Sequence, residues 1–307
     1  MTASLACRKR LDCHGSCVTN DGIDAAMEEP NMATIGVIGA GAMGSGIGGL
    51  LAGNGATVLT DLEGRSPATV SRAEAAGMKV ANLEKLLSAE IVLSIIPPAE
   101  AVSVARRFAE EARRQDRAAI YVDCNAISPA TMKEVADVFI GTKVEVVDAC
   151  IIGAPPSDKK CPKLYVSGYA SGRTALLEPY GIPVRPVTGG IGAASALKMC
   201  YSGINKGLTG LGTAMMLAAI RSGADESLKL ELADSVPAIE RRLATGIPDM
   251  YPKAYRWVAE MEEIADFLGN DDPASLIFRG MAGLYRQMAE DRQSGGRLAA
   301  ELDHLFA

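Results

Sequence analysis

Lys198 is the residue best suited to proton chemistry. It is the lone charge between Ala193 and Ile204, a stretch that otherwise reads as an apolar helix. A lysine drawn out of water loses proton affinity, so it can hand a proton to a forming alkoxide or take one back in reverse. Ser195, Tyr201, Ser202 and Asn205 recur at helical spacings around it and share or border its face, so they can touch the same ligand. The plain alternative is a surface lysine whose stem covers apolar area. Lys206 is a second amine, turned off that face.

A second constellation is Gly39-Ala40-Gly41-Ala42-Met43-Gly44, a G-x-G-x-x-G run. It follows a β-branched apolar stretch, Thr34 to Ile38, and precedes a helical pattern that stops at Gly53. The glycines divide the work. Gly39 allows the tight turn, Gly41 lets the backbone approach a pyrophosphate, and Gly44 lets the helix pack closely on the strand. The helix start adds unpaired N–H groups and a positive dipole end. A second strand ends at Thr60-Asp61, where an acid that holds a ribose belongs. Strand, glycines, helix, strand and acid in that order predict a dinucleotide site.

The nicotinamide form is set at that strand end, and its signals conflict. Asp61, with Glu63 as a nearby substitute, favours NAD. Thr60 and the Arg65-Ser66 pair suit a 2′-phosphate, and the balance tips slightly to NADP. Arg65 also reads as a solvated charge ahead of a helix.

The elements that must position these residues follow from periodicity. Short apolar runs alternate with helical patterns up to Val187, which predicts an α/β, mostly parallel, doubly wound Rossmann-type sheet. Ligands of such sheets lie beyond the carboxyl ends of the strands. Three of those ends are Gly39–Gly44, Ile96–Pro98 (with Ile96 and Pro97 as candidate cofactor contacts) and Asp123–Ser128. Asn125 is a candidate for the nicotinamide ribose or carboxamide, or else satisfies its own turn. Asp123 is expected to brace that loop. From Gly192 onward the period is helical throughout. The long helix at 193–221 carries Gly203, Gly207, Gly210 and Gly212, which cost helix propensity and permit close helix contact. Further helices are expected at 225–232, 237–243, 254–268 and 274–289. The domains are therefore expected at 32–188, dinucleotide-binding, and 189–307, all-helical, substrate-binding and dimerising. The low polarity of the helical domain suggests that it shares a core with a second subunit as a homodimer.

Residues 1–31 are expected to be a loose extension, with Met32 as a plausible start of the ordered pattern. Cys7, Cys13, His14 and Cys17 lie there, but their spacing is no standard zinc pattern, and no metal is expected. The 307-residue chain has a net charge of −6, which leaves no basic field for nucleic acid or an anionic membrane. Its 7 cysteines, an odd number, argue against a fully paired secreted framework. The longest apolar run, Leu208 to Ile220, is short of the roughly 20 residues of a membrane span. A cytoplasmic protein acting on a small molecule is expected.

Three segments carry a resemblance: Ile35 to Gly44, Asp123 to Pro129, and Gly189-Gly-Ile-Gly-Ala-Ala-Ser-Ala-Leu-Lys198. From about Thr34 to its end the chain resembles the β-hydroxyacid dehydrogenase superfamily, which includes 3-hydroxyisobutyrate and 6-phosphogluconate dehydrogenases. It is most similar to a branch with its own C-terminal domain, of phosphogluconate dehydrogenase type. The resemblance implies NAD(P)-dependent hydride transfer between nicotinamide and a hydroxyacid or other alcohol or carbonyl, with Lys198 on the catalytic lysine. Ser202 stands where the family has a substrate-holding asparagine, beside Tyr201. The substrate loop departs from the family's Asp-x-x-x-Ser-Gly-Gly: here it is Asp148-Ala-Cys-Ile-Ile-Gly-Ala154, so Ile152 replaces the serine ahead of Gly153. Isoleucine cannot donate a hydrogen bond to a carboxylate, so a bulkier or less polar substrate than 6-phosphogluconate is expected. Two other readings remain: an imine reductase, and a non-catalytic dinucleotide sensor or scaffold.

Overall fold

The computed structural model describes residues 32–157 and 160–306, so the four potential ligands at 7–17 lie outside the described residues. The buried run Thr34–Ile38 is β1, the glycine turn follows, and Ala42–Gly53 is α1. Alternation continues through β2 (Thr57–Thr60), α2 (Pro67–Ala75), β3 (Lys79–Val80), α3 (Leu83–Leu86) and β4 (Ile91–Ser94). It ends with α4 (Ala101–Gln115), β5 (Ala119–Asp123), α5 (Pro129–Val138), β6 (Val144–Ile152), β7 (Lys163–Ser167) and β8 (Val184–Pro186). Local chemistry sets several starts. Ser66, Asn82 and Ser128 accept from the backbone N–H three residues on, capping α2, α3 and α5.

The eight strands form one sheet in the order β3-β2-β1-β4-β5-β6-β7-β8, parallel except where β7 runs antiparallel to β6. Parallel strands buried on both faces need helices on each side. One apolar layer joins the sheet to α1 and α2, the other to α3, α4 and α5. Phe108, Tyr121 and Phe139 meet in the second, with ring centroids 4.9 to 6.3 Å apart.

The chain then becomes helical: α6 (Ala193–Ser222), α7 (Asp225–Ser235), α8 (Pro237–Met250), α9 (Ala254–Leu268), α10 (Pro273–Gln293) and α11 (Arg297–Phe306). Two expectations need correction. The helix α8 runs on to Met250 through Pro248, beyond the expected end at 243. The helix α11 was not expected, because its cap is not local: the Asp291 carboxylate, on α10, accepts from the Leu298 and Ala299 N–H groups at 3.0 and 3.1 Å.

The register shows where the sheet and the helices join. Ile38, Ser94, Asp123, Asp148 and Ser167 are successive partners across β1, β4, β5, β6 and β7. The first three end their strands, and Asp148 is the middle residue of β6. Asp148 is fully buried and faces the start of α6. Its Oδ2 accepts from the N–H groups of Gly192, Ala194 and Ser195 at 2.8, 2.9 and 3.2 Å and from Ser167 Oγ at 2.8 Å. Its Oδ1 accepts from Ser195 Oγ at 2.7 Å. A second tie runs from the Ser128 N–H, at the start of α5, to Glu263 Oε1 on α9 at 3.0 Å.

Asp148→Ala would orphan several buried donors, each worth about 1–3 kcal/mol. A loss of at least about 3 kcal/mol is expected, which lowers Tm by roughly 6–12 °C. Differential scanning calorimetry of the full chain checks it.

Candidate active site

The glycine turn keeps its expected geometry. Gly39 has φ +96°, and a Cβ there would stand 2.4 Å from the Ile95 carbonyl oxygen. A Cβ on Gly44 would stand 1.8 Å from the Gly39 carbonyl oxygen. At Gly41 nothing lies within 4 Å, so the protein leaves space in front of that backbone. Gly41 is the N-cap of α1 and no side chain bonds to the first N–H groups, beside exposed Ala42 and half-buried Met43. Free N–H donors facing open space fit a pyrophosphate.

The adenosine end is less simple. Asp61 is half-exposed, and its Oδ1 accepts from the Glu63 N–H at 3.0 Å. Arg65 pairs with Glu100 at 3.5 Å. Ser66 is committed to capping α2. The expectation for Thr60 is corrected: its side chain is fully buried and its hydroxyl faces the interior without a partner, so it is not presented to a 2′-phosphate. Arg72 takes a place that the sequence reading missed. It reaches from α2 to the glycine turn, with Nε donating to the Ala40 carbonyl at 3.3 Å and Nη2 to Thr69 Oγ1 at 3.0 Å.

After β4 the chain turns at Ile96 and exposed Pro97. Asn125 holds that turn from beneath. Its Oδ1 accepts from the Ile96 N–H at 2.7 Å, and its Nδ2 donates to Ser94 Oγ at 3.2 Å and Asp123 Oδ2 at 2.9 Å. The expectation that Asn125 meets the nicotinamide is therefore corrected to its alternative: the amide is buried and braces the loop. Asp123 shares the bracing by accepting the Asn125 N–H at 2.9 Å. Burial pushes its carboxyl up to about 7 against the pull of the Asn125 donors, and Asp148 adds to the rise.

Lys198 stands on the second turn of α6. Its Nζ donates to the Ile151 carbonyl at 2.7 Å, three residues past Asp148 on β6. The amine therefore lies at the loop that holds Ile152 and Gly153, the latter with φ +135°. Burial pulls Lys198 below the usual lysine range. The Cys150 thiol is itself pushed up to about 12 by burial, so it stays neutral. One register row carries both features. The glycine turn begins one residue beyond Ile38, and Ile151 lies three beyond Asp148. Three strand spacings of about 4.8 Å separate those strands, roughly 14 Å in all.

The other predicted partners of Lys198 divide. Tyr201 is exposed and Ser202 is buried. Ser195 is corrected: its hydroxyl is buried against Asp148 and faces no cleft. Asn205 is tied to its own helix and to α8, with Nδ2 donating to the Tyr201 carbonyl at 3.0 Å and Oδ1 accepting from Arg242 at 3.3 Å. Lys206 turns to α9, where it contacts Glu260 and lies 5.4 Å from the Trp257 ring centroid. Among the described residues no cluster of His, Cys, Asp and Glu could hold a metal ion. No described helix is long and apolar enough to cross a membrane.

A doubly wound sheet with an open glycine turn, followed by a helical region that returns a lysine to the same edge, is an arrangement that suits a nicotinamide-dependent oxidoreductase. Residues 34–178 match the NAD binding domain of 6-phosphogluconate dehydrogenase, and 219–288 match a domain of unknown function. A conserved protein of unknown function, MTH1747, described as similar to 3-hydroxyacid dehydrogenases, is 28% identical with a TM-score of 0.69 over 85% of this chain and 99% of that one. The 3-hydroxyisobutyrate dehydrogenase of Mycobacterium tuberculosis, solved with L-serine, has the same fold, with a TM-score of 0.69 at 21% identity over 90% of this chain and 100% of that one. An uncharacterised 28.5 kDa protein of Methanothermus fervidus is 31% identical over 156 residues, 50% of this chain and 58% of that relative's length. Residues 34–178 thus match an NAD binding domain of the 6-phosphogluconate dehydrogenase type, on a fold shared with 3-hydroxyisobutyrate dehydrogenase.

Two of the glycines make separable predictions. Gly44→Ala should unfold or severely destabilise the chain, because backbone must move. Gly41→Ala should fold with an unchanged Tm and bind the dinucleotide at least about tenfold more weakly, the worth of one charge-assisted hydrogen bond. Fluorescence titration beside thermal melting checks both.

Proposed function

We propose that the protein interconverts an alcohol and its carbonyl on a small substrate held beside Lys198, as an NAD(P)-dependent dehydrogenase or reductase. A bound nicotinamide supplies or accepts the hydride. The observation that carries the reading is the Lys198 amine, half-buried and fixed by the Ile151 carbonyl on the edge that holds the open glycine turn. An ammonium has three donors and that carbonyl uses one, so two remain for a substrate oxygen. In the reducing direction Lys198 gives a proton to that oxygen, and its lowered proton affinity eases the transfer. In the oxidising direction the neutral amine takes the proton back. Tyr201 and Ser202 flank the amine and assist in orientation.

The loop chemistry narrows the substrate. Ile152 offers no hydrogen bond where a hydroxyl would hold a carboxylate. A bulky or weakly polar carbonyl, alcohol or imine therefore suits the site better than a sugar acid phosphate. For the cofactor, Arg65 and Arg72 flank the region between the end of β2 and the glycine turn, while Asp61 has a backbone donor of its own. Both features favour NADP.

Lys198→Met should lower turnover by orders of magnitude and leave dinucleotide affinity nearly unchanged, measured on a panel of oxoacids, aldehydes and cyclic imines. Reduction of imines alone would favour the imine reductase, and tight binding without any turnover a sensor. In the wild type, kcat/KM for reduction should be flat at low pH and fall as pH rises through the lowered lysine pKa. The oxidation profile should run the opposite way. Arg72→Leu should raise KM for NADP at least about tenfold with little change for NAD, as loss of a hydrogen bond to a charged phosphate requires.

A further inference from the structure

The helix α1 carries a glycine that the dinucleotide turn does not use. Gly46 stands outside the set of Gly39, Gly41 and Gly44, and it lowers helix propensity against alanine. Its return is a close contact across the fold. A Cβ there would stand 2.9 Å from Pro156 Cδ and 3.4 Å from Pro155 Cβ, in the loop that follows β6. The pyrrolidine ring is rigid, so no rotamer change relieves the contact. That loop is an arch with two fixed feet. At one foot a Cβ on Gly153 would approach Pro162 Cα to 3.0 Å. At the other, Ser157 and Lys160 exchange backbone hydrogen bonds at 2.9 and 3.2 Å. Between the feet the two prolines fix their own φ and hold the residue before each in extended backbone, so few torsions remain to absorb a displacement. Between the arch, α1 and α2 lies a cavity of about 690 Å³, lined by Ser45, Gly46, Arg72, Pro155, Pro156 and Ser157. The arch therefore rests on Gly46 and not on a filled core.

We propose that Gly46 is a positioning residue for the substrate loop: by seating Pro155 and Pro156 it sets where the Gly153-Ala154 backbone stands beside Lys198. The chain of contacts is short. Ile151, whose carbonyl holds the Lys198 amine, pairs with Leu164 in the sheet, and Ile152 pairs with Lys163. Those two residues stay where the ladder puts them. Gly153 and Ala154 lie beyond the ladder, are exposed, and come directly before the prolines. Their N–H groups are the backbone donors of this stretch, because proline has none. With Ile152 unable to donate from its side chain, a substrate oxygen at the loop has those N–H groups to meet. The helix that opens at the glycine turn and the loop that meets the substrate thus share one contact, Gly46 against two prolines. The inference rests on the proposed function, since it assumes a substrate beside Lys198.

Steady-state kinetics of Gly46→Ala on the panel of oxoacids, aldehydes and cyclic imines tests it. The added methyl must displace the arch. A shift of about 1 Å can cost on the order of a hundredfold, so kcat/KM for the substrate should fall at least about tenfold, with substrate KM raised. KM for the dinucleotide should stay within about twofold, because Gly41 and the first N–H groups of α1 are untouched. The pH inflection of Lys198 should not move, because Ile151 stays in the ladder. A loss of fold would instead lower kcat for every substrate and leave both KM values alone. Pro156→Ala is the second variant, and it lies in a loop, where the fold tolerates change. By itself it empties the seat and should raise substrate KM at least about threefold. Combined with Gly46→Ala it removes the clash, so the double variant should be at least about threefold faster than Gly46→Ala alone. Losses that simply add would overturn the inference, as would folded single variants with wild-type kinetics. A wild type that turns over no member of the panel would overturn the proposed chemistry and this inference with it.

Discussion

The carboxylate of Asp148 is the interaction on which the rest depends. It is buried without a cation, a state that is costly unless hydrogen bonds replace water. Five donors do so: three backbone N–H groups at the start of α6 and the hydroxyls of Ser167 and Ser195. Because the start of α6 is also the positive end of its dipole, the charge and the helix stabilise each other. One side chain in the middle of β6 thus caps the start of α6 and fixes the direction in which that helix leaves the sheet. Lys198 follows one turn later, so its reach to the Ile151 carbonyl follows from where Asp148 sits.

The same edge of the sheet carries a polar seam turned inward. Ser94, Asp123 and Asn125 spend their hydrogen bonds on one another and on the Ile96 N–H. Positions that face outward along this edge are mostly backbone or small: Gly41, Ala42, Pro97 and Gly153. The groups left facing outward are thereby backbone N–H groups, with Arg65 and Arg72 at one end of the edge and Lys198 at the other. This division explains why a loop rich in polar residues offers few side chains to a ligand. Its polar groups hold the turns in place.

The helix α6 shows how packing overrides propensity. Four glycines in its interior cost it several kcal/mol as an isolated helix, at about 1 kcal/mol each. They return that cost by letting Phe278, Met281, Tyr285 and Leu243 lie against its backbone. Met199, Met216 and Leu217 share the inward face, while Tyr201, Ile204, Leu211 and Met215 stay exposed on the other. The helical domain therefore has a core of its own and an uncovered surface on the same element.

What the sequence determined by itself is the local order of parts. The strand-glycine-helix turn, the caps at Ser66, Asn82 and Ser128, the alternation that makes a parallel sheet, and the long glycine-bearing helix with its lysine are each written within a few residues. Steric limits, capping and hydrophobic period act over that distance. Tertiary structure decided which polar groups remain available. Ser195 and Asn125 have the right types and spacing for ligands, yet Asp148 and the Ile96 turn claim them from 47 and 29 residues away. Arg72 reaches the glycine turn across 32 residues, and Glu263 reaches Ser128 across 135. No local pattern marks such pairs, because a hydrogen bond depends on where two groups meet and the chain sets that only once the sheet and helices have packed.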